Sequence, residues 1–152
     1  MEYLIRPARI TDVERLGALC AEAGAGAGPG TPLDATDLLR QLVYLPQASV
    51  FVAEARREVV GGAVLALRPS VRAGGYVGTV DVLVVDRRHD LDRVTDALLE
   101  ELLRSAGNKG CAAVEAALPS DPATRARWER HGFVEVGPTI ERPVAAGQPA
   151  GR

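Results

Sequence analysis

The hydrophobic period of the chain changes within a few residues near its middle, and the other elements are arranged around that change. In residues 80–85 five of six positions are apolar and mostly β-branched, which suits a strand buried on both faces. From residue 91 the apolar positions recur at three and four, with Leu91, Val94, Leu98 and Leu102 on one line and Thr95, Leu99 and Leu103 beside it. A strand over residues 76–85 therefore runs into an amphipathic helix over residues 91–106. Asp90 stands where an N-cap belongs, and Asp92 falls in the first turn, where a carboxylate complements the helix dipole. The free N–H groups of that first turn make such an entry a natural anion site.

Upstream, residues 3–6 before Pro7 predict a short first strand, and Thr11-Asp-Val-Glu14 has the spacing of a capping box opening a helix to about residue 23. Gly24-Ala-Gly-Ala-Gly-Pro-Gly30 excludes regular structure and predicts a mobile loop rather than a phosphate cradle, since no buried strand precedes it. Leu38, Leu39, Leu42 and Leu45 place a second amphipathic helix over residues 33–45, ended by Pro46. Residues 49–55 and 59–67 read as an antiparallel hairpin with a charged turn at Arg56-Arg57-Glu58, and residues 69–75 as the loop into the central strand. Downstream, residues 107–110 stop the helix and residues 111–118 form the next strand. Ser120 or Asp121 caps a helix with Pro122 in its first turn and residues 123–130 in its body. A last strand is expected over residues 139–144, and residues 145–152 form a Gly/Pro/Ala tail expected to be disordered.

With 152 residues, residues 1–144 make one domain, large enough to bury a core without disulfides or metals. A formal charge of −2 gives no general attraction to nucleic acid or to an anionic membrane. The basic residues are 17 Arg to one Lys, a compositional bias rather than a functional signal. Cys20 and Cys111 lack metal-ligand spacing and lie in apolar contexts, which predicts reduced core residues and no metal site. No basic leader precedes an apolar run and no apolar stretch is long enough to span a bilayer, so the default location is the cytoplasm.

Four stretches carry a family signal. They are Ile5-Arg6-Pro7-Ala8 with Thr11-Asp12, Gly61-Gly62, the approach Val85-Asp86-Arg87-Arg88-His89 into Asp90-Leu91-Asp92-Arg93-Val94-Thr95, and Glu129 with Gly132-Phe133. Together they resemble the GNAT superfamily of acetyl-CoA-dependent N-acetyltransferases over nearly the whole chain. The resemblance implies an α/β fold with a mixed, mostly antiparallel central sheet of six to seven strands flanked by about four helices, an order that the alternation of elements also requires. It implies acetyl-CoA as the acetyl donor and an amine as acceptor, whose identity the sequence does not give. In the family the segment after the first helix borders the acceptor site, which suits the glycine-rich loop to a lid or, equally, to a neutral linker.

In the family, backbone groups of the central strand hold the pantetheine arm and polarise the thioester carbonyl; Leu83, Val84 and Val85 occupy those positions. The loop that wraps the pyrophosphate has Arg or Gln, then Gly, then a small residue, where this chain has Asp90, Arg93 and Thr95. A side chain at Arg93 brings a Cβ into space that glycine leaves free, and each carboxylate opposes a phosphate by ~1 kcal/mol at 4 Å in water. Arg87, Arg88 and Arg93 offset that charge, so the implied cofactor-binding set is Leu83, Val84, Val85, Arg87, Arg88, Arg93, Val94 and Thr95. A solvated, salt-bridged surface is the alternative for the three arginines.

Asp81 is the one ionisable residue in the apolar run, and burial there would make it a base for the acceptor ammonium. The alternative places it against an arginine or at an exposed widening of the sheet. The family's thiolate-protonating tyrosine falls on Trp128, whose indole N–H is no acid and which is expected to pack against the core. His89 and His131 are expected at exposed element ends, and no Ser-His-Asp spacing exists. Two functions follow: a GNAT-like N-acetyltransferase, or a degenerate GNAT-fold domain acting as a binding or dimerisation module.

Overall fold

The computed structural model describes residues 1–26, 33–137 and 139–143. Strands β1 (Leu4–Pro7), β2 (Ala48–Ala55), β3 (Glu58–Ser70), β4 (Gly75–Val85) and β5 (Cys111–Ala116) form one sheet in chain order. The first four pair antiparallel, while β4 and β5 run parallel and are joined by the crossover helix α3 (Leu91–Asn108). The remaining helices are α1 (Val13–Glu22), α2 (Ala35–Leu42) and α4 (Pro122–Glu129).

Two apolar layers sandwich the sheet. Val94, Leu98 and Leu102 of α3 pack with Phe51, Val60, Leu65 and Val80 on one face. Leu16 and Leu19 of α1 and Leu39 of α2 pack with Val50, Val52, Val64 and Val84 on the other. Gly61 and Gly62 permit this closeness. A Cβ at Gly61 would lie 3.0 Å from Val94 Cγ1 and 2.9 Å from Val84 O, and one at Gly62 would lie 2.4 Å from Leu16 Cδ1.

The β2–β3 turn carries Arg56 and Arg57 at φ of 51° and 67°, the left-handed region that a tight hairpin demands and that side chains disfavour. Arg56→Asn with Arg57→Gly is therefore expected to stabilise the fold by roughly 1 kcal/mol, a rise in Tm of ~3 °C in a thermal melt.

Local differences from the sequence reading have physical causes. A 3-10 turn at Ile10–Asp12 precedes α1, and Asp12, not Thr11, supplies the capping carboxylate, accepting from the Arg9 amide at 2.8 Å. The helix predicted over residues 33–45 is confined to α2 because Asp34 caps it, accepting from Asp37 N at 2.8 Å. Among the described residues the sheet has five strands rather than six or seven. Residues 133–137 and 139–143 form no strand: Gly137 takes φ 142° there, and prolines at 138 and 143 lack the N–H that a ladder needs. Val144, the tail over residues 145–152 and most of the glycine-rich loop (27–30) lie outside the described residues.

Candidate active site

Opposite β3 the register of β4 slips, with Val64 facing Val82 and Leu65 facing Val80, so Asp81 is the extra residue of a β-bulge. The parallel pairing of β4 with β5 ends at the same place, at Val80 opposite Ala116. Beyond it the two strands part and open a cleft of about 280 Å³. Asp81, Val82 and Leu83 line it from β4, Leu91 and Thr95 from α3, Ala116 and Ala117 from the end of β5, and Arg127 and Trp128 from α4.

Asp81 is exposed rather than buried, which matches the open widening of the sheet. It makes no hydrogen bond or ion pair among the described residues, so its carboxylate is free to meet a ligand. Its charge is felt by the Cys20 thiol on α1, which is pushed up mainly by burial and further by Asp81. Trp128 is half-buried against the α3 side of the core and meets Phe133 edge-on, ring centroids 4.9 Å apart.

The eight residues expected to hold the cofactor are spread over several environments. Leu83 and Thr95 line the cleft, Thr95 being 2% exposed. Val84 packs in the α1 layer opposite Gly62, and Val85 pairs with Gly61. Arg87 is exposed and has no ion-pair partner among the described residues. Arg88 turns back onto the buried Asp86, giving it the Nε at 3.2 Å, an NH2 at 2.9 Å and the backbone amide at 3.0 Å, while Arg15 of α1 adds a further bond at 2.7 Å. Arg93 lies over the Tyr3 ring, 5.6 Å from its centroid, and does not line the cleft, so it does not obstruct it. The Val94 amide donates to Asp90 O at 3.0 Å, and the Arg93 amide donates to the Asp90 carboxylate at 3.1 Å, the expected N-cap. Tyr3 also ties down the loop, its hydroxyl lying 3.3 Å from His89 Nδ1 and 3.4 Å from the Asp90 amide that donates to it.

Pairing holds Asp86 well below the usual carboxylate range, the Arg88 side chain contributing most, and holds Asp12 down chiefly through Arg6. Depressed folded-state values stabilise the fold above the unfolded carboxyl range, near pH 4, and that contribution is lost as pH falls through the folded values. Asp86→Asn should therefore cost about 1 to 2 kcal/mol at pH 7 and flatten the acid limb of a urea-stability profile below pH ~4. An unchanged acid limb would dissociate Asp86 from acid sensitivity.

Across the cleft from β4, the first turns of α3 face α4 through charges the sequence reading does not pair. Asp92 accepts from Arg127 Nε, Arg130 lies 4.0 Å from Asp92 and 3.7 Å from Asp96, and His131 Nε2 lies 2.7 Å from Asp96 Oδ1. His131, expected at an exposed end, is mostly covered by this contact, its side chain 13% exposed. The signal was present as two matched stripes, acids four apart on one helix and cations three and four apart at the end of another, but nothing local says that the stripes meet.

For an acyl donor with an anionic tail, the cleft supplies an apolar slot between β4 and β5. The α3 entry supplies fewer free amides than a glycine loop does, because the Asp90 carboxylate takes the Arg93 amide and the Tyr3 hydroxyl takes that of Asp90. Cations are present instead at Arg127 and Arg130.

The fold has many counterparts among solved structures. A transcriptional regulator from Bacillus halodurans aligns with a TM-score of 0.79 at 15% identity, covering 94% of this chain and 100% of that one. Glucosamine-6-phosphate N-acetyltransferase from Arabidopsis thaliana aligns at 0.73 and 17% identity, covering 94% and 99%. Ribosomal-protein-alanine N-acetyltransferase from Brucella melitensis aligns at 0.71 and 16%, covering 94% and 100%. No curated protein matches the sequence. The sequence model of the Acetyltransferase (GNAT) family matches residues 18–133, a span that takes in β2 to β5, the bulge and the cleft. By that match the chain belongs to the acetyltransferase (GNAT) family.

Proposed function

We propose that the protein transfers an acetyl group from acetyl-CoA to an amine, with the cleft between β4 and β5 as the seat of the acyl arm and Asp81 as the base. The observation that carries this is the bulge at Asp81, which coincides with the parting of β4 and β5 and sets an unpaired carboxylate at the opening. Bound acetyl-CoA supplies a thioester carbonyl open to attack by a neutral amine. Asp81 takes the proton from the acceptor's ammonium, directly or through one water, so that its nitrogen lone pair is available. Beyond Val80 β4 is paired with β3 alone, and its edge toward β5 is left to offer N–H and C=O groups to an extended ligand. Trp128 and Leu91 wall the slot. The indole of Trp128 gives no proton, so the leaving thiolate is protonated from solvent. The relatives named above act on a sugar phosphate and on a ribosomal protein according to their names, and the acceptor here is an amine of either kind, small molecule or protein.

Acetyl-CoA at 100 times its Kd should stabilise the protein by ~2.7 kcal/mol, a rise in Tm of about 8 °C, and a panel of amines should release free coenzyme A in a thiol assay. One observation favours a second reading, a binding or dimerisation module. Among the described residues β5 is an edge strand, and Val134, Val136 and Ile140 downstream are 73%, 87% and 102% exposed. A dimer in sedimentation equilibrium together with no thermal response to acetyl-CoA would select that reading.

A further inference from the structure

We propose that Arg127 and Arg130 of α4 seat the phosphates of the acyl donor, and that Asp92 and Asp96 of α3 hold these arginines in its absence as a clasp that a diphosphate displaces. The proposal rests on the acetyl-CoA reading above and adds to it where the tail of the donor goes and what must open first.

Arg127 is 9% exposed and lines the cleft, yet its guanidinium bonds to protein only through Nε, to Asp92. Its two terminal nitrogens make no hydrogen bond among the described residues, which leaves fork-shaped donors unspent at the wall of the slot. Several other donors near the α3 entry are committed or stand away from the cleft. Arg88 serves Asp86, Arg93 lies on Tyr3, the Arg93 amide serves the Asp90 carboxylate and the Asp90 amide serves Tyr3, while Arg87, without an ion-pair partner among the described residues, does not line the cleft. An anionic tail leaving the slot between α3 and α4 therefore meets the arginines of α4.

The pair is asymmetric in a way that suits exchange. The Arg127 side chain is 11% exposed and fixed, while the Asp92 side chain is 59% exposed and can swing into water at little desolvation cost. Arg130 reaches both Asp92 and Asp96 at 4.0 and 3.7 Å, long enough to be surrendered to a better partner. A diphosphate offers more charge and more acceptor oxygens than a carboxylate and accepts the two-pronged bonds of guanidinium. His131 stays on Asp96 at 2.7 Å and keeps α4 docked while the arginines change partners.

Calorimetric titration of the full chain with coenzyme A, acetyl-pantetheine and inorganic pyrophosphate tests this. Arg127→Gln should weaken coenzyme A at least tenfold and leave acetyl-pantetheine, which lacks the diphosphate, unchanged. Asp92→Asn should tighten coenzyme A and pyrophosphate several-fold. Because it frees the arginine instead of removing it, a loss of fold in the Arg127 variant does not hide the answer. Equal coenzyme A affinity in the parent and both variants, or coenzyme A binding no tighter than acetyl-pantetheine, overturns the clasp and leaves acetyl transfer standing. Failure of parent and Asp92→Asn to bind either coenzyme A or acetyl-pantetheine overturns both proposals.

Discussion

Asp81→Asn is expected to lower acetyl transfer at neutral pH by at least about a hundredfold, the usual contribution of a positioned general base, while the melting temperature stays within a degree or two. The split follows from the bulge. Asp81 is exposed and bonded to no described residue, so an isosteric amide removes no native contact. The same amide cannot accept a proton from an ammonium, and the amine stays unreactive. The test measures kcat/KM with the amine that the parent acetylates fastest, alongside the thermal shift that acetyl-CoA induces. An intact shift with a lost rate assigns Asp81 to the chemical step. Equal rates for variant and parent remove it from the reaction and make the bulge a purely structural device.

The parts of this molecule that were legible in the sequence are those decided within a few residues. The change of hydrophobic period at residues 80–103 correctly gives β4 followed by α3, because burial of one helical stripe and one strand is written into spacing alone. Asp90 as N-cap was legible for the same reason, since a short carboxylate before a helix has a local hydrogen bond to make. The bulge was not. Val80-Asp81-Val82 looks like unbroken alternation, and only the pairing with Val64 and Leu65 on β3 shows that one residue is supernumerary. Nor could the sequence assign Arg88, whose guanidinium suits a phosphate and the Asp86 carboxylate alike. The decision lies with Asp86, which is buried and shared with Arg15, 71 residues away. The charges joining α3 to α4 have the same character: each partner is readable on its own helix, but their meeting depends on the parting of β4 from β5. Residues 139–143 show the opposite failure, an expected strand that does not form, because backbone donors and partners decide pairing and Pro143 has no donor.

Leu98→Ala should be the most damaging single change to stability, costing about 3 to 4 kcal/mol and lowering Tm by roughly 10 °C. Leu98 is wholly buried and fills the layer between α3 and the sheet with Val60, Leu65, Val80 and Leu102. Its Cδ1 lies 3.6 Å from where a Cβ on Gly61 would stand, and Val94 is closer still, so the helix already rests on the glycine backbone of β3 and cannot sink further to fill a void. The site feels this too. α3 presents Leu91 and Thr95 to the cleft and Asp92 to Arg127, and a helix that rocks over a cavity at Leu98 displaces all three. Leu91→Ala is the control, because Leu91 is 49% exposed and should cost under about 1 kcal/mol while still widening the slot. In urea, Leu98→Ala should move the midpoint well down with an unchanged slope, and Leu91→Ala should scarcely move it. A loss below 1 kcal/mol at Leu98 would mean that α3 is not anchored by this layer, and that the loops at its two ends, rather than the core, position the cleft.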